Sequence, residues 1–358
     1  MTRKCYKLIF ESPLHISSGG FALEGVDAFV RSDTLFSALC ATAAMHWGDE
    51  RRLAQFFFPE NGQQTLGFRL SSAFPYFDDI FFLPKPYFLD PKDKNGNELE
   101  HSVKKRVGKA RFMDAKLWDE MADGKQVAFY ENEMDLCAAT KKIDFIPSTI
   151  KNRCWTNRPW PAVGGGDIYE EYERPRVVVD RVSSDGTIFH FGEIRFREKA
   201  GLYFMADFEN ENDVKPFEVL LNLLGENGLG ADRTVGRGLF TFEETQAPLA
   251  LNEESNTEAF VSLSLFIPME DEMKHLDFED SWYDYTLRRG WVSNQVLRRR
   301  TMRMFTEGSA FRLKQAGTSK GRVAKALDKD GLNIGHDVWR SGLCFPVPVP
   351  ASLLKEQI

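Results

Sequence analysis

The sequence is poor in the residues that mark a stapled or metal-built protein. Five cysteines, Cys5, Cys40, Cys137, Cys154 and Cys344, are scattered over 358 residues with no C-x-x-C pair. An odd, dispersed set argues against a disulfide framework and against a structural zinc site. The six histidines are equally dispersed. No uninterrupted apolar run approaches the ~20 residues that a membrane-spanning helix needs. The start, Met1 to Tyr6, leads into a strand-like segment without a signal-peptide apolar stretch, so the expectation is a cytoplasmic protein. G-x-S-x-G, H-E-x-x-H, a Cys/His nucleophile pattern and a glycine loop ending in Gly-Lys-Ser/Thr are all missing. Excess positive charge is missing too: the net charge is -7.

What is present is an ordinary globular composition, 42% hydrophobic and 28% charged, with thirty Phe against nine Tyr. That fits a Phe-rich core, and the length favours two domains. Charge is unevenly placed. Residues 206–285 carry nineteen Asp or Glu against four Lys or Arg, whereas residues 286–345 carry thirteen Lys or Arg against four acids. A further basic run, Lys104-Lys105-Arg106 with Lys109 and Arg111, precedes Asp114. Distinct faces follow, basic for an anionic ligand and acidic for solvent or a partner.

Arg3 to Phe10 reads as a strand and Thr34 to Trp47 as a helix capped by Ser32 or Asp33. A short helix through Phe57 follows, then one or two strands over 66–83 and a polar loop over 90–103. Residues 147–174 read as an irregular excursion. Arg176 to Phe208 predicts a hairpin turning at Ser183 to Gly186. Pro216 at a first helical position and Gly225 as a stop bracket an apolar stripe. The glycine-rich loop Gly228 to Gly238 leads into a strand over Leu239 to Phe242. Glu243 to Thr257 reads as a linker. A second strand–helix–strand series runs from Phe260 to Pro350. Both halves suit a helix-on-antiparallel-sheet α+β sandwich of ferredoxin-like type.

Gly228 to Gly238 is the strongest motif, with four glycines and two arginines in eleven residues. Glycine permits left-handed backbone and close chain approach. Outward amides, with Arg233 and Arg237, then suit phosphate or sugar oxygens. The spacing is not that of a dinucleotide fingerprint, and the loop follows a helix rather than opening one. Pro13 to Gly20 before Ser32–Leu39 makes a second, weaker anion cradle. His15 could act as a general base, but no partner is fixed by the sequence, and a packed, hydrogen-bonded histidine is the better reading. Asp27 reads as a ribonuclease acid or as a loop-surface residue. His336-Asp337 lacks the further ligands of a metal phosphohydrolase. The run from Arg288 to Arg303, with Trp291 among its arginines, suits either a nucleic-acid surface or an acidic partner.

Taken in order, these segments resemble one family over nearly the whole chain. They are the Ser-Ser-Gly-Gly loop with Ser32–Leu39, Phe82-Leu83-Pro84-Lys85-Pro86, the Lys104–Phe112 run, Val179-Asp180-Arg181 with its hairpin, Gly228–Gly238, Arg289-Gly290-Trp291, Phe305–Phe311 and Trp339–Gly342. The sequence resembles the subunit-four family of the type III-A (Csm) CRISPR effector, one of the repeat-associated RAMP proteins. The resemblance implies two ferredoxin-like (RRM-like) domains, over 1–245 and 256–350, with a projecting β-hairpin thumb. It implies a non-catalytic subunit that binds the 5′ handle of a guide RNA (crRNA), needs no cofactor, caps a filament of backbone RAMP subunits and docks the large polymerase-like subunit. By position, His15, Ser17, Ser18 and Gly19 would line the handle surface with Gly228, Gly230, Arg233, Thr234, Gly236 and Arg237. Arg176 and Arg181 belong to the thumb near the guide, and Lys105, Lys109 and Arg111 to a further basic segment. Asp232 stands where the family often has Gly or Lys, and the 147–174 excursion is longer than the family pattern. The rival expectation is a RAMP-class guide-processing endoribonuclease using His15.

Overall fold

The computed structural model describes residues 1–17, 25–48, 56–57, 67–93, 95–130, 148–161, 166–180, 185–249, 257–291, 297–328 and 337–355. The first strand spans Thr2–Phe10 and sends side chains alternately to two buried faces. Tyr6 and Leu8 enter one core and Cys5 the other. The strand lies between Phe240–Thr245 and Ala200–Phe208, antiparallel to both. Ala200–Phe208 pairs in turn with Phe68–Leu70 and Phe74–Phe77. Beyond them the sheet continues through Ile80–Pro84, Phe112–Asp114, Cys154–Thr156 and Thr149–Lys151. Its central strands, numbered by chain order, lie 4-1-3-2. The helix Ser32–Trp47 follows the first of these and the helix Val214–Asn227 the third.

Both helices pack on one face of this sheet, where Leu35, Leu39, Phe217, Leu220 and Leu224 meet Tyr6, Leu8, Phe204 and Phe208. The opposite face, with Tyr203 and Met205, is covered by Val261, Leu263, Phe345 and Val347 of the C-terminal half. Coverage of both faces explains why Ala200–Phe208 is buried at all nine positions, as an unbroken apolar run requires.

The C-terminal half holds a four-stranded sheet in the order Pro346–Pro348, Thr257–Ser262, Ala310–Gly317, Leu276–Trp282, again 4-1-3-2. Its helix after the first strand is only Glu270–His275. At the chain position of a second helix stands a hairpin of Gly321–Leu327 and Val338–Leu343, whose Val323 and Leu343 pack into the core of the N-terminal half. The expected strand–helix–strand series is therefore mostly strand.

Other expectations shift for physical reasons. The excursion at 147–174 contributes two strands to the main sheet, and Cys154 and Trp155 are fully buried there; three-residue strands are too short to show a period. The hairpin begins earlier than expected, pairing Tyr169–Val179 with Gly186–Phe196. Its turn residues Ser183 and Ser184 lie outside the described residues, as does most of the short helix ending at Phe57. The loop after Asp90 gives way to a helix at His101–Gly108. Pro216 is the third residue of its helix, and Gly225 lies within the last turn instead of ending it. A Cβ on Gly225 would sit 2.2 Å from the Phe240 carbonyl oxygen. Gly225→Ala is expected to overpack this contact and cost about 1–3 kcal/mol, read as a lower denaturation midpoint.

Ser32 and Asp33 do not cap the first helix, whose N-cap is Arg31 with no side-chain cap bond. They join the halves. The Leu265 amide donates to Ser32 Oγ at 3.0 Å. The Arg288 guanidinium donates to both Asp33 oxygens at 2.9 and 3.0 Å, and Arg340 also donates to Asp33. Arg31 Nη1 reaches Glu307 at 2.7 Å, and Ser72 Oγ donates to the same carboxylate at 2.6 Å. A cap and a buried ion pair draw on the same residue types, so the sequence alone does not separate them.

Candidate RNA interface

The segment after the first strand is clamped between two elements. Leu14 exchanges two 2.8 Å backbone bonds with Ile194 of the long hairpin. On its other side the glycine loop docks: the Gly238 amide donates to the Pro13 carbonyl at 2.9 Å, and the Ala231 amide to the His15 carbonyl at 3.0 Å. This closeness needs residues without side chains. A Cβ on Gly228 would meet the Arg237 carbonyl oxygen at 2.3 Å, and one on Gly230 would meet that of His15 at 2.4 Å. Both glycines thus serve chain-on-chain packing. Gly236 differs: its φ is 75° and the space a Cβ would fill is open.

At the joint, His15 is 3% exposed. Its ring stacks on Phe191 at 4.1 Å, with Nδ1 2.6 Å from the Gly192 carbonyl oxygen. The Arg176 guanidinium lies over Phe191 at 4.5 Å. Beneath them Glu193 is fully buried and faces three arginines: Arg237 at 2.8 Å, Arg174 at 3.4 Å and Arg176 at 3.7 Å. Arg176 also pairs with Asp232, whose backbone is left-handed at φ 59°. Asp232 therefore ties the hairpin to the loop. Arg233, Thr234 and Val235 form a single 3₁₀ turn on the outside, with Thr234 and Val235 exposed. The hairpin tip presents Val177, Val178, Val179 and Ile188, each more than half exposed.

His15, Arg176, Gly228, Gly230, Arg233, Thr234, Gly236 and Arg237 are thus brought to one place. Ser17 joins its edge through a bridge to Val26. Ser18, Gly19 and Arg181 lie outside the described residues. Lys105 and Lys109 sit exposed on and just after the helix His101–Gly108, apart from the loop. Arg111 pairs with Asp27 at 3.2 Å and stacks on Phe29 at 4.1 Å. Asp27 is therefore a partly buried ion-pair partner and not a loop-surface residue. Of His336-Asp337, His336 lies outside the described residues and Asp337 binds Lys325 at 3.0 Å. Sequence reasoning missed Glu193. Its one signal is an acid between Phe191 and Ile194, on a strand whose neighbours face the core.

The joint offers an arginine-rich surface whose guanidinium groups face the buried Glu193 and the partly exposed Asp232. Charge-assisted bonds from such groups suit phosphate oxygens. No helix among the described residues is long and apolar enough to cross a membrane.

Comparison with known proteins places this geometry. Residues 7–241 match the RAMP superfamily, and residues 255–349 match the CRISPR Csm4 C-terminal domain. The chain is 28% identical over 326 residues to the CRISPR system Cms protein Csm4 of Thermococcus onnurineus, covering 89% of this chain and 91% of that protein. The protein of the same name from Methanocaldococcus jannaschii is 23% identical over 307 residues, covering 77% and 78%. Among solved structures, a chain of a Csm1-Csm4 cassette in complex with cA4 superposes with a TM-score of 0.58 at 22% identity, covering 98% of each chain. A chain of a Csm3-Csm4 subcomplex in the type III-A CRISPR-Cas interference complex gives 0.59 at 18% identity, covering 97% and 99%; at these identities the likeness is one of fold. With a RAMP match over most of its length and the Csm4 domain over the remainder, the chain belongs to the RAMP superfamily as a member of the Csm4 family.

Proposed function

We propose that the chain is the guide-RNA handle-binding and assembly subunit of a type III-A CRISPR effector, partnered by Csm1 and Csm3 counterparts and without catalysis of its own. The partner reading is supported by the Csm1-Csm4 and Csm3-Csm4 assemblies in which its structural relatives were solved. The RNA reading rests on one observation: Glu193 anchors Arg174, Arg176 and Arg237 against the glycine loop. Recognition of splayed nucleotides needs such local cradling and not a globally basic protein. Absence of catalysis is supported by His15, whose buried ring is stacked and held on the Gly192 carbonyl. Ferredoxin-like domains over 1–245 and 256–350 are supported by the repeated 4-1-3-2 strand order, with the hairpin of the first as thumb.

The test is to purify the tagged chain with its neighbours and sequence the RNA that accompanies it. Guide RNAs sharing one 5′ end are expected. Arg233→Ala with Arg237→Ala should release them and lower the salt dependence of binding by about 0.7 per lost phosphate contact. Unchanged RNA in the double variant would move recognition off the loop. Cleavage of repeat RNA, abolished by His15→Ala, would replace the non-catalytic reading.

A further inference from the structure

A cleft of about 960 Å³ opens between the two halves, beside the arginine joint but separate from it. Two motifs singled out in the sequence meet there. The Leu-Pro-Lys-Pro segment runs along one wall and the Thr-Glu-Gly segment along another. The Tyr87 amide donates to the Gly308 carbonyl at 3.1 Å. A Cβ on Gly308 would lie 2.8 Å from the Lys85 carbonyl oxygen, so the contact requires glycine.

The lining is cationic beyond what its acids balance. Arg31 is matched by Glu307 and Arg111 by Asp27. Lys85, Lys109 and Arg153 make no salt bridge among the described residues, although Asp90 acts on Lys85 at longer range, and Asp284 is the one further acid of the lining. Lys85 is half-buried, its Nζ donating only to the Val107 carbonyl at 3.3 Å, and burial pulls its pKa below the usual lysine value. Arg153 is held in left-handed backbone at φ 61°, beside Asn152 at φ 47°. The two residues form the tight turn that joins Thr149–Lys151 to Cys154–Thr156, where a two-residue hairpin loop calls for left-handed backbone. Here the Arg153 carbonyl accepts from the Arg111 and Phe112 amides at 2.8 and 3.0 Å, which fixes the turn at the cleft.

Two partly exposed tyrosines, Tyr87 and Tyr285, border the same space. From Tyr285 an array of aromatic and guanidinium groups continues outward: Arg303 lies over Tyr285 at 4.6 Å and Arg298 over Trp291 at 5.6 Å. In the other direction Arg111 and Asp27 link the cleft to the clamped segment, since the Asp27 amide donates to the Ile16 carbonyl at 2.8 Å.

We propose that this cleft binds a nucleotide of single-stranded RNA, with its phosphate on Lys85 and Lys109 and its base on Tyr87 or Tyr285. Cations free of salt bridges beside partly exposed rings, one of them already stacked by Arg303, form the kind of platform that sequence-tolerant single-strand binding uses. An acidic peptide would use the cations and leave the rings idle. The cleft then takes a stretch of strand distinct from the one at the glycine loop. The inference rests on the RNA-binding reading above.

The experiment uses the complex purified with its neighbours and RNA bearing 4-thiouridine, with photo-crosslinked peptides mapped by mass spectrometry. Crosslinks are expected on peptides carrying Tyr87 and Tyr285. Lys109→Glu with Tyr285→Ala, both at exposed positions, should lower them at least roughly fivefold, the equivalent of one lost base stack, and leave glycine-loop crosslinks in place. Crosslinks at the loop with none in the cleft would overturn the inference. Crosslinks at neither would sink the RNA-binding reading itself. Saturable binding of AMP without strand crosslinks would make the occupant a free nucleotide and overturn the strand assignment. Amine-reactive crosslinks from Lys85 and Lys109 to a protein neighbour, undiminished when RNA is bound, would assign the cleft to protein.

Discussion

Asp33→Asn is expected to destabilise the protein by roughly 3–5 kcal/mol, the cost of leaving a buried ion pair half-made. Asparagine keeps the shape of aspartate, so packing alone predicts little change. The effect comes from charge. Burial by itself would raise the Asp33 carboxyl pKa; the guanidinium groups of Arg288 and Arg340 outweigh burial and hold it at about 2. A carboxyl whose pKa is depressed on folding contributes stability that is complete above its unfolded value, near 4, and is lost as pH falls toward 2. Denaturant melts from pH 6 down to 2.5 should therefore fall more steeply for the wild type than for the asparagine variant. Parallel curves would show that Asp33 does not carry this pH dependence. Because its partners are 255 and 307 residues away in sequence, the loss should also loosen the seam between the halves. Proteolysis near the seam reads that directly.

Glu193→Gln carries the second large effect, and its sign separates two views of the arginine joint. The stability cost is about 2–3 kcal/mol, less than at Asp33 because Arg174 is half exposed and can turn to water. If RNA is held by net positive charge alone, removal of a carboxylate tightens binding. If it is held by positioned guanidinium groups, Arg176 and Arg237 lose their anchor, and handle retention falls while binding of unrelated RNA holds or rises. The second outcome is expected. It is measured by comparing, at fixed salt, the affinities of handle and scrambled RNA for the two proteins. Tighter binding of both would mean that the joint acts as a diffuse field.

How much was legible in the sequence follows from the range of the interactions. The first strand, the helices Ser32–Trp47 and Val214–Asn227 and the hairpin are written in local periodicity and turn chemistry, and they stand close to where expected. The glycine loop was legible as a place of close chain approach, which Gly228 and Gly230 supply. The strands at Thr149–Lys151 and Cys154–Thr156 were not, because each is three residues long and defined by a partner distant in the chain. Glu193 and Asp33 were unreadable as anchors for the same reason: a buried acid is told from a surface acid only by the arginines that the fold brings to it. The cleft was half legible. Its motifs were noted, but their meeting depends on Gly308 lying against Lys85 across the two halves.

The strand order also sets a timetable for synthesis. Thr2–Phe10 leaves the ribosome long before its neighbours, Ala200–Phe208 and Phe240–Thr245. At about 5–20 residues per second, the first strand waits roughly 10–50 s for both partners. Through that interval Tyr6, Leu8 and both unpaired backbone edges stay open to other chains. The nascent protein is thus exposed where the finished one is most protected, and its yield in the cell depends on what shelters the opening strand until the last partner emerges.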